Sequence, residues 1–190
     1  MDGENAARLS AAPMLVTDRL RLRAHTAADF EASAAMWGNP EVTRFIGGRP
    51  FTREESWTRV LRCPGHWALM GFGFWVVEDR ASGKFIGEAG FMDFKRDIEP
   101  PVVDMPEVGW AFVPEAHGRG IATETARALV AWGDVHFGTR STTCLIDEAH
   151  TTSIRVAEKC GYRPWRSVKY HGHAEVLFLR EARGGLVKNR

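Results

Sequence analysis

The 190-residue chain has only three cysteines, Cys63, Cys144 and Cys160, and none stands in a CxxC pair. That excludes a readable zinc knuckle or disulfide framework, and the usage fits a reducing cytoplasm. An excess of one charge is also missing. The 25 Lys and Arg against 24 Asp and Glu leave a formal charge of +1. Phosphate backbones and anionic lipid surfaces select a basic bias, so neither nucleic acid nor a membrane is an expected partner. No apolar run approaches the ~20 residues of a membrane helix. Met1 to Met14, with Asp2 and Glu4, lacks a signal-peptide core, so a cytoplasmic location is expected. Internal repeats and interior linkers are absent as well. What is present is 44% hydrophobic and 26% charged, the usage of one folded domain of the larger kind. Its expected bounds are 15–182, between tails over 1–14 and 183–190.

The periodicities give an order of elements. Leu15 to Arg23 alternates apolar with polar and reads as a strand. Thr26 can cap a helix bearing Phe30, Ala34 and Trp37 on one face and closed by Gly38; Asn39 and Pro40 open another turn. Thr52 and Glu55 form a capping box before Trp57, Val60 and Leu61. Phe74–Glu78 and Phe85–Phe91 flank a tight connection and read as a hairpin. The next strand, Val108 to Val113, follows the proline-rich stretch Lys95 to Pro106, whose length suggests a flap beside the working site. A helix bearing Ala122, Ala126, Leu129 and Val130, then a strand over Thr142–Ile146, complete a crossover that should be parallel and right-handed. A short helix from Thr152 to Cys160 and strands near 166–170 and 175–180 close the domain.

The most informative text is EVGWAFVPEAHGRGIATET, Glu107 to Thr125. A strand runs through proline into a glycine-rich turn that opens a helix, where unpaired N–H groups can hold an anion. Gly118 and Gly120 let a pyrophosphate approach the backbone, and Thr123 could add a hydroxyl. A nicotinamide-dinucleotide fold fits less well: Thr123 occupies the third glycine position of GxGxxG, and the turn lies mid-chain.

This text, with HTTSIRVAEKCGY, LVTDRLRLR, NPEVTRFIGG and ASGKFIGEAGF, resembles the GNAT superfamily of N-acetyltransferases, nearest to the branch of ribosomal-protein N-terminal-alanine acetyltransferases. The likeness runs from about Leu15 to Glu181. It implies an α/β (α+β) fold: a central mixed, mostly antiparallel sheet with two splayed parallel strands, flanked by helices. It also implies acetyl-CoA as co-substrate, no metal, and direct attack of a primary amine on the thioester. A non-catalytic acyl-CoA-binding protein of the same fold is the alternative, and a homodimer stays open.

Carried over position by position, the resemblance puts His117, Gly120 and Ala122 on the pyrophosphate motif. His117 stands where Gln or Arg is usual, and Gly118, Arg119, Ile121 and Thr123 lie beside it. Ala111, Phe112 and Val113 match the strand end that pairs with the pantetheine arm, with a bulge freeing an N–H for the thioester carbonyl. His150 replaces a common Asn in the cofactor site. Ser153 matches a Ser, and Ala157 stands where other branches carry a tyrosine acid. Ser153 is therefore the expected donor to the departing thiolate, a helix cap being its alternative role.

A base is needed, since free amines titrate near ~8 for an α-amino group and ~10 for lysine. Glu107 is the first candidate and His171 with His173 the second; the competing reading of Glu107 is a solvated strand end. Cys144 and Cys160 read as core thiols. Most of the seven tryptophans should be packing, while those in the early helical region and in GHWALMGFGFW could wall an apolar acceptor pocket. The acceptor is expected to be a small amine or a protein N-terminus. The flap, if it closes over the site, favours the small amine.

Overall fold

The structure, a computed structural model, describes residues 9–182. Eight strands form one sheet in the order β1-β2-β3-β4-β5-β6-β8-β7, and every neighbouring pair is antiparallel except β5 with β6. The strands are β1 (Leu15–Val16), β2 (Leu20–Arg23), β3 (Phe74–Asp79), β4 (Phe85–Met92), β5 (Glu107–Phe112), β6 (Thr142–Asp147), β7 (Arg163–Tyr170) and β8 (His173–Arg180). Five helices accompany them: α1 (Phe30–Trp37), α2 (Pro40–Thr43), α3 (Arg53–Met70), α4 (Ile121–His136) and α5 (Thr151–Lys159). This is the mixed, mostly antiparallel α/β architecture expected from the sequence.

Local chemistry explains the joints. Thr52 Oγ1 accepts from the Glu55 N–H at 3.1 Å while the Glu55 carboxylate accepts from the Thr52 N–H at 2.8 Å, so both ends of the capping box hold the start of α3. The expected first strand is divided. Thr17 N–H donates to Leu20 O at 3.0 Å, so Leu15 to Arg23 folds into a tight hairpin rather than one strand. The expected tail also needs correction from residue 9 onward. Leu9 and Ala12 pack against the core, and Trp75 Nε1 donates to Pro13 O at 2.7 Å. The expected tails over 1–8 and 183–190 lie outside the described residues.

Alternation along the strands divides the sheet into two faces. On one, Trp75, Ala89, Phe91 and Val108 meet α4 through Ile121, Ala126 and Leu129. On the other, Ala111 meets α1 and α2 through Met36, Trp37 and Val42. The Glu88 carboxylate on this second face is fully buried and accepts from Ser33 Oγ, Trp37 Nε1 and Arg59 Nε at 2.6, 3.0 and 3.0 Å. A buried carboxylate so satisfied fixes α1 and α3 on the sheet. No helix among the described residues is long and apolar enough to cross a membrane.

Candidate active site

The parallel pair β5–β6 is registered at a single position, Glu107 with Thr143, where Thr143 N–H donates to Pro106 O at 3.0 Å. Beyond that point the two strands part. On its other side β5 stays in unbroken register with β4 from Glu107–Met92 to Phe112–Gly87. The bulge expected in β5 is therefore not there. Main-chain groups are freed by the parting itself. Val113 N–H donates to Ile86 O at 3.0 Å, so by alternation Ala111 and Val113 turn their backbone towards β4 while Trp110 and Phe112 turn theirs into the gap. Of the three residues expected to meet a pantetheine arm, only Phe112 offers it main-chain groups.

The gap leads to the turn His117–Gly120, whose residues are all exposed. Gly118 and Gly120 have φ of +69° and +76°, the left-handed region that glycine adopts without a Cβ penalty. Gly120 is the N-cap of α4, and the first helical bond is Glu124 N–H to Gly120 O at 3.0 Å. The N–H groups of Ile121, Ala122 and Thr123 therefore have no acceptor within the helix and point out of its positive end. His117 braces this turn, its Nε2 lying 3.0 Å from Phe112 O. Arg19 braces it from β2's hairpin by donating to Arg119 O at 2.9 Å and pairing with Glu124 at 2.7 Å.

Where the strands part lies a cavity of about 380 Å³, lined by Glu107, Val108, Gly109 and Trp110 of β5 and by Cys144 to Asp147 of β6. Aromatic rings of Trp37, Phe45, Phe51, Phe94, Trp110 and Tyr170 form much of its wall, and four arginines, Arg44, Arg59, Arg62 and Arg96, share it. A splayed parallel pair thus lines an aromatic chamber, and β5 runs on from it to a strand-to-helix anion turn.

The family model described as "Acetyltransferase (GNAT) domain" matches residues 19–163. The chain belongs to the GNAT acetyltransferase family. The uncharacterized protein YkkB of Bacillus subtilis is 31% identical over 182 residues, covering 92% of this chain and 99% of YkkB. A structure from Bordetella pertussis described as a GnaT-family acetyltransferase is 33% identical with a TM-score of 0.79, covering 89% of this chain and 99% of that one. A ribosomal-protein-S5-alanine acetyltransferase from Vibrio fischeri, at 16% identity and a TM-score of 0.73 over 91% of this chain and 98% of its own, shares the fold. The protein is thus an acetyl-CoA-dependent N-acetyltransferase, and the turn and gap have the donors that a pyrophosphate and a pantetheine amide require.

Within this acetyltransferase, Ser153 lies in the cavity wall. Its Oγ is 3.3 Å from His150 Nε2 and 3.4 Å from Trp110 Nε1. The N-cap of α5 is His150, so Ser153 does not have the capping role that was its alternative reading. The His150 ring stacks on Phe45 at 4.3 Å, and burial pushes its pKa below the usual histidine value.

Glu107 is not the solvated strand end of its competing reading. It is buried, and Arg96 donates to both of its carboxylate oxygens, at 2.7 and 2.6 Å. Burial pushes the Glu107 carboxyl up, and the guanidinium opposes that shift. With both oxygens clamped, Glu107 is poorly placed to receive a proton from a bound amine. His171 and His173 border the cavity but are exposed, and no metal-holding cluster forms among the described residues. Cys144 also reaches the wall, yet it is buried and its thiol is pushed well above the ordinary value by burial, as a core thiol would be.

The stretch Lys95–Pro106 does not fold over the cavity as a flap. Ile98 buries itself beside the sheet, and Arg140 donates to Asp104 O at 3.2 Å. Of that stretch only Arg96 reaches the cavity wall.

One residue there had no signal in the sequence. Glu175 on β8 borders the cavity and sits directly across from Asp147 on β6. It has no hydrogen-bond or ion-pair partner among the described residues. Burial first, then the Asp147 charge, lift its carboxyl to about 7. A lone glutamate in HAEVLFLR looks like any strand residue, because the partner that perturbs it is 28 positions away.

Proposed function

We propose that this acetyltransferase acetylates the primary amine of a small, partly aromatic molecule. The observation that carries this reading is the chamber where β5 and β6 part. Its volume of about 380 Å³ and its ring-lined wall suit a compact ligand rather than an extended peptide.

In the proposed mechanism the His117–Thr123 turn holds the pyrophosphate, with Gly118, Gly120 and Ala122 giving it room and the N–H groups of the first α4 turn facing it. Arg119, exposed beside the turn, can meet a phosphate of the same ligand. The backbone of Trp110 and Phe112 pairs with the pantetheine arm and presents an N–H to the thioester carbonyl. The amine nitrogen forms the new C–N bond as the C–S bond breaks, and Ser153 supplies the proton that converts the thiolate to thiol. His150, neutral through burial, and Trp110 donate ring N–H groups to the Ser153 oxygen, which holds the hydroxyl in place and leaves its one proton for the sulfur. A cytoplasmic location belongs to the same reading, from cysteines that are free and buried.

Thiol release from acetyl-CoA should be followed with aromatic amines, aliphatic amines, polyamines, amino acids and peptides of varied N-terminus. Turnover concentrated in the aromatic amines is expected. Sequence-dependent acetylation of peptides with all small amines inert would replace this acceptor with a protein N-terminus.

A further inference from the structure

The reaction needs a group that strips the ammonium before attack, and the arrangement leaves Glu107 clamped by Arg96. We infer that Glu175 is the general base, receiving a proton from the acceptor ammonium inside the chamber. The inference rests on the acetyltransfer to a primary amine proposed above.

Three observations of geometry carry it. Glu175 lines the chamber from β8, on the sheet face that carries Asp147, and Ser153 lines the same cavity, so an amine held there lies between the carboxylate and the donor to sulfur. It is half-buried and unpartnered, whereas the other glutamate of the wall, Glu107, is already paired. Its cross-strand neighbours are Asp147 on β6 and Val168 on β7. Like charges directly opposite on paired strands are unfavourable, and Val168 offers no compensation, so a cation arriving from the chamber relieves a cost built into the wall.

The charged groups around Glu175 set its proton affinity in the needed direction. Asp147 from β6 and Glu107 from β5 raise it, Arg96 from the loop after β4 lowers it, and burial is the largest influence. Along its own strand His173 lies on the same face, opposite Tyr170 of β7. The result is a carboxyl that titrates at about 7, matched to receiving a proton at neutral pH.

The step balances. The ammonium proton moves to the Glu175 carboxylate, and the freed nitrogen pair forms the C–N bond. The C–S pair leaves on sulfur and takes the Ser153 proton; the proton lost by the acylated nitrogen returns to the Ser153 oxygen. Glu175 then releases its proton to water, leaving amide, thiol and one proton.

The test compares the wild type with Glu175→Gln on acetyl-CoA, with 2-phenylethylamine and an alanyl-terminated peptide as acceptors, from pH 5.5 to 10. The wild type should show an acidic limb in kcat/KM near pH 7. The variant should lose that limb, fall by roughly 10²- to 10³-fold at pH 7 and recover about tenfold per pH unit as solvent supplies free amine. CoA affinity should be unchanged. A variant that keeps both the limb and the rate, while folded, overturns the inference. If the wild type acetylates neither probe, the acceptor reading fails by itself, and carboxyl infrared difference spectra across pH 5–9 decide the base. A band titrating near pH 7 that is missing from Glu175→Gln supports Glu175; no such band overturns it.

Discussion

Arg96, in the loop after β4, grips Glu107, at the start of β5, through hydrogen bonds of 2.7 and 2.6 Å. The pair closes the floor of the chamber where β5 and β6 last touch, and it ties the proline-rich loop to the sheet.

Removing one partner should therefore be felt first as stability. Arg96→Met leaves a buried carboxylate unpaired, and a loss of about 3–5 kcal/mol is expected in urea unfolding. Glu107→Gln leaves the Arg96 guanidinium without its counter-charge, but the amide oxygen still accepts from it, so the loss should be smaller. In the Gln variant the acidic limb of kcat/KM should survive. Its disappearance would return the role of base to Glu107.

Gly120→Val tests the turn. An ideal Cβ at Gly120 comes only to 3.6 Å from Arg19 Nη2, so the substitution is not blocked by packing. The φ of +76° is what a β-branched residue resists, at a cost of about 1–2 kcal/mol. The expected outcome is a folded protein whose CoA affinity falls at least about tenfold, ~1.4 kcal/mol, by calorimetry. Unchanged affinity would move the pyrophosphate elsewhere.

Ser153→Ala separates chemistry from helix capping. Since His150 holds the N-cap position, thermal stability should stay within about 0.5 kcal/mol. Turnover should drop roughly ten- to a hundredfold, ~1.4 to 2.7 kcal/mol of transition-state stabilisation, with CoA binding unaltered. A variant that melts early but turns over normally per folded molecule would give Ser153 a structural role.

The raised carboxyl of Glu175 also has a signature in stability. Its folded pKa, about 7, lies above the ordinary glutamate value of 4.5, so the native state holds more protons than the unfolded one between those values. Its contribution is fully present below pH 4.5 and is lost as pH rises through 7. Relative to Glu175→Gln, the wild type should therefore lose stability between pH 5 and 8. Parallel Tm profiles for the two proteins would count against the shift.

The text around the turn made the cofactor end legible. Proline after a strand, glycines at the positions that need positive φ, and an apolar helical repeat from Ile121 are local facts, and local geometry follows from them. The capping box at Thr52, the hairpin of β3 and β4 and the parallel pair were readable for the same reason. The tight turn at Thr17 was hidden because alternation continues through Leu20 and Leu22 on either reading.

The acceptor end was written elsewhere. Local patterns were enough for the family's fold, the anion turn and the placement of Ser153 at the start of a short helix. Long-range packing set the rest: Arg96 clamps Glu107, the proline-rich loop docks on the sheet through Ile98 instead of covering the chamber, and Glu175 faces Asp147. Turns and caps depend on residues a few positions apart. Proton affinities and cavity walls depend on which distant charges the fold brings together and how much water it removes from around them.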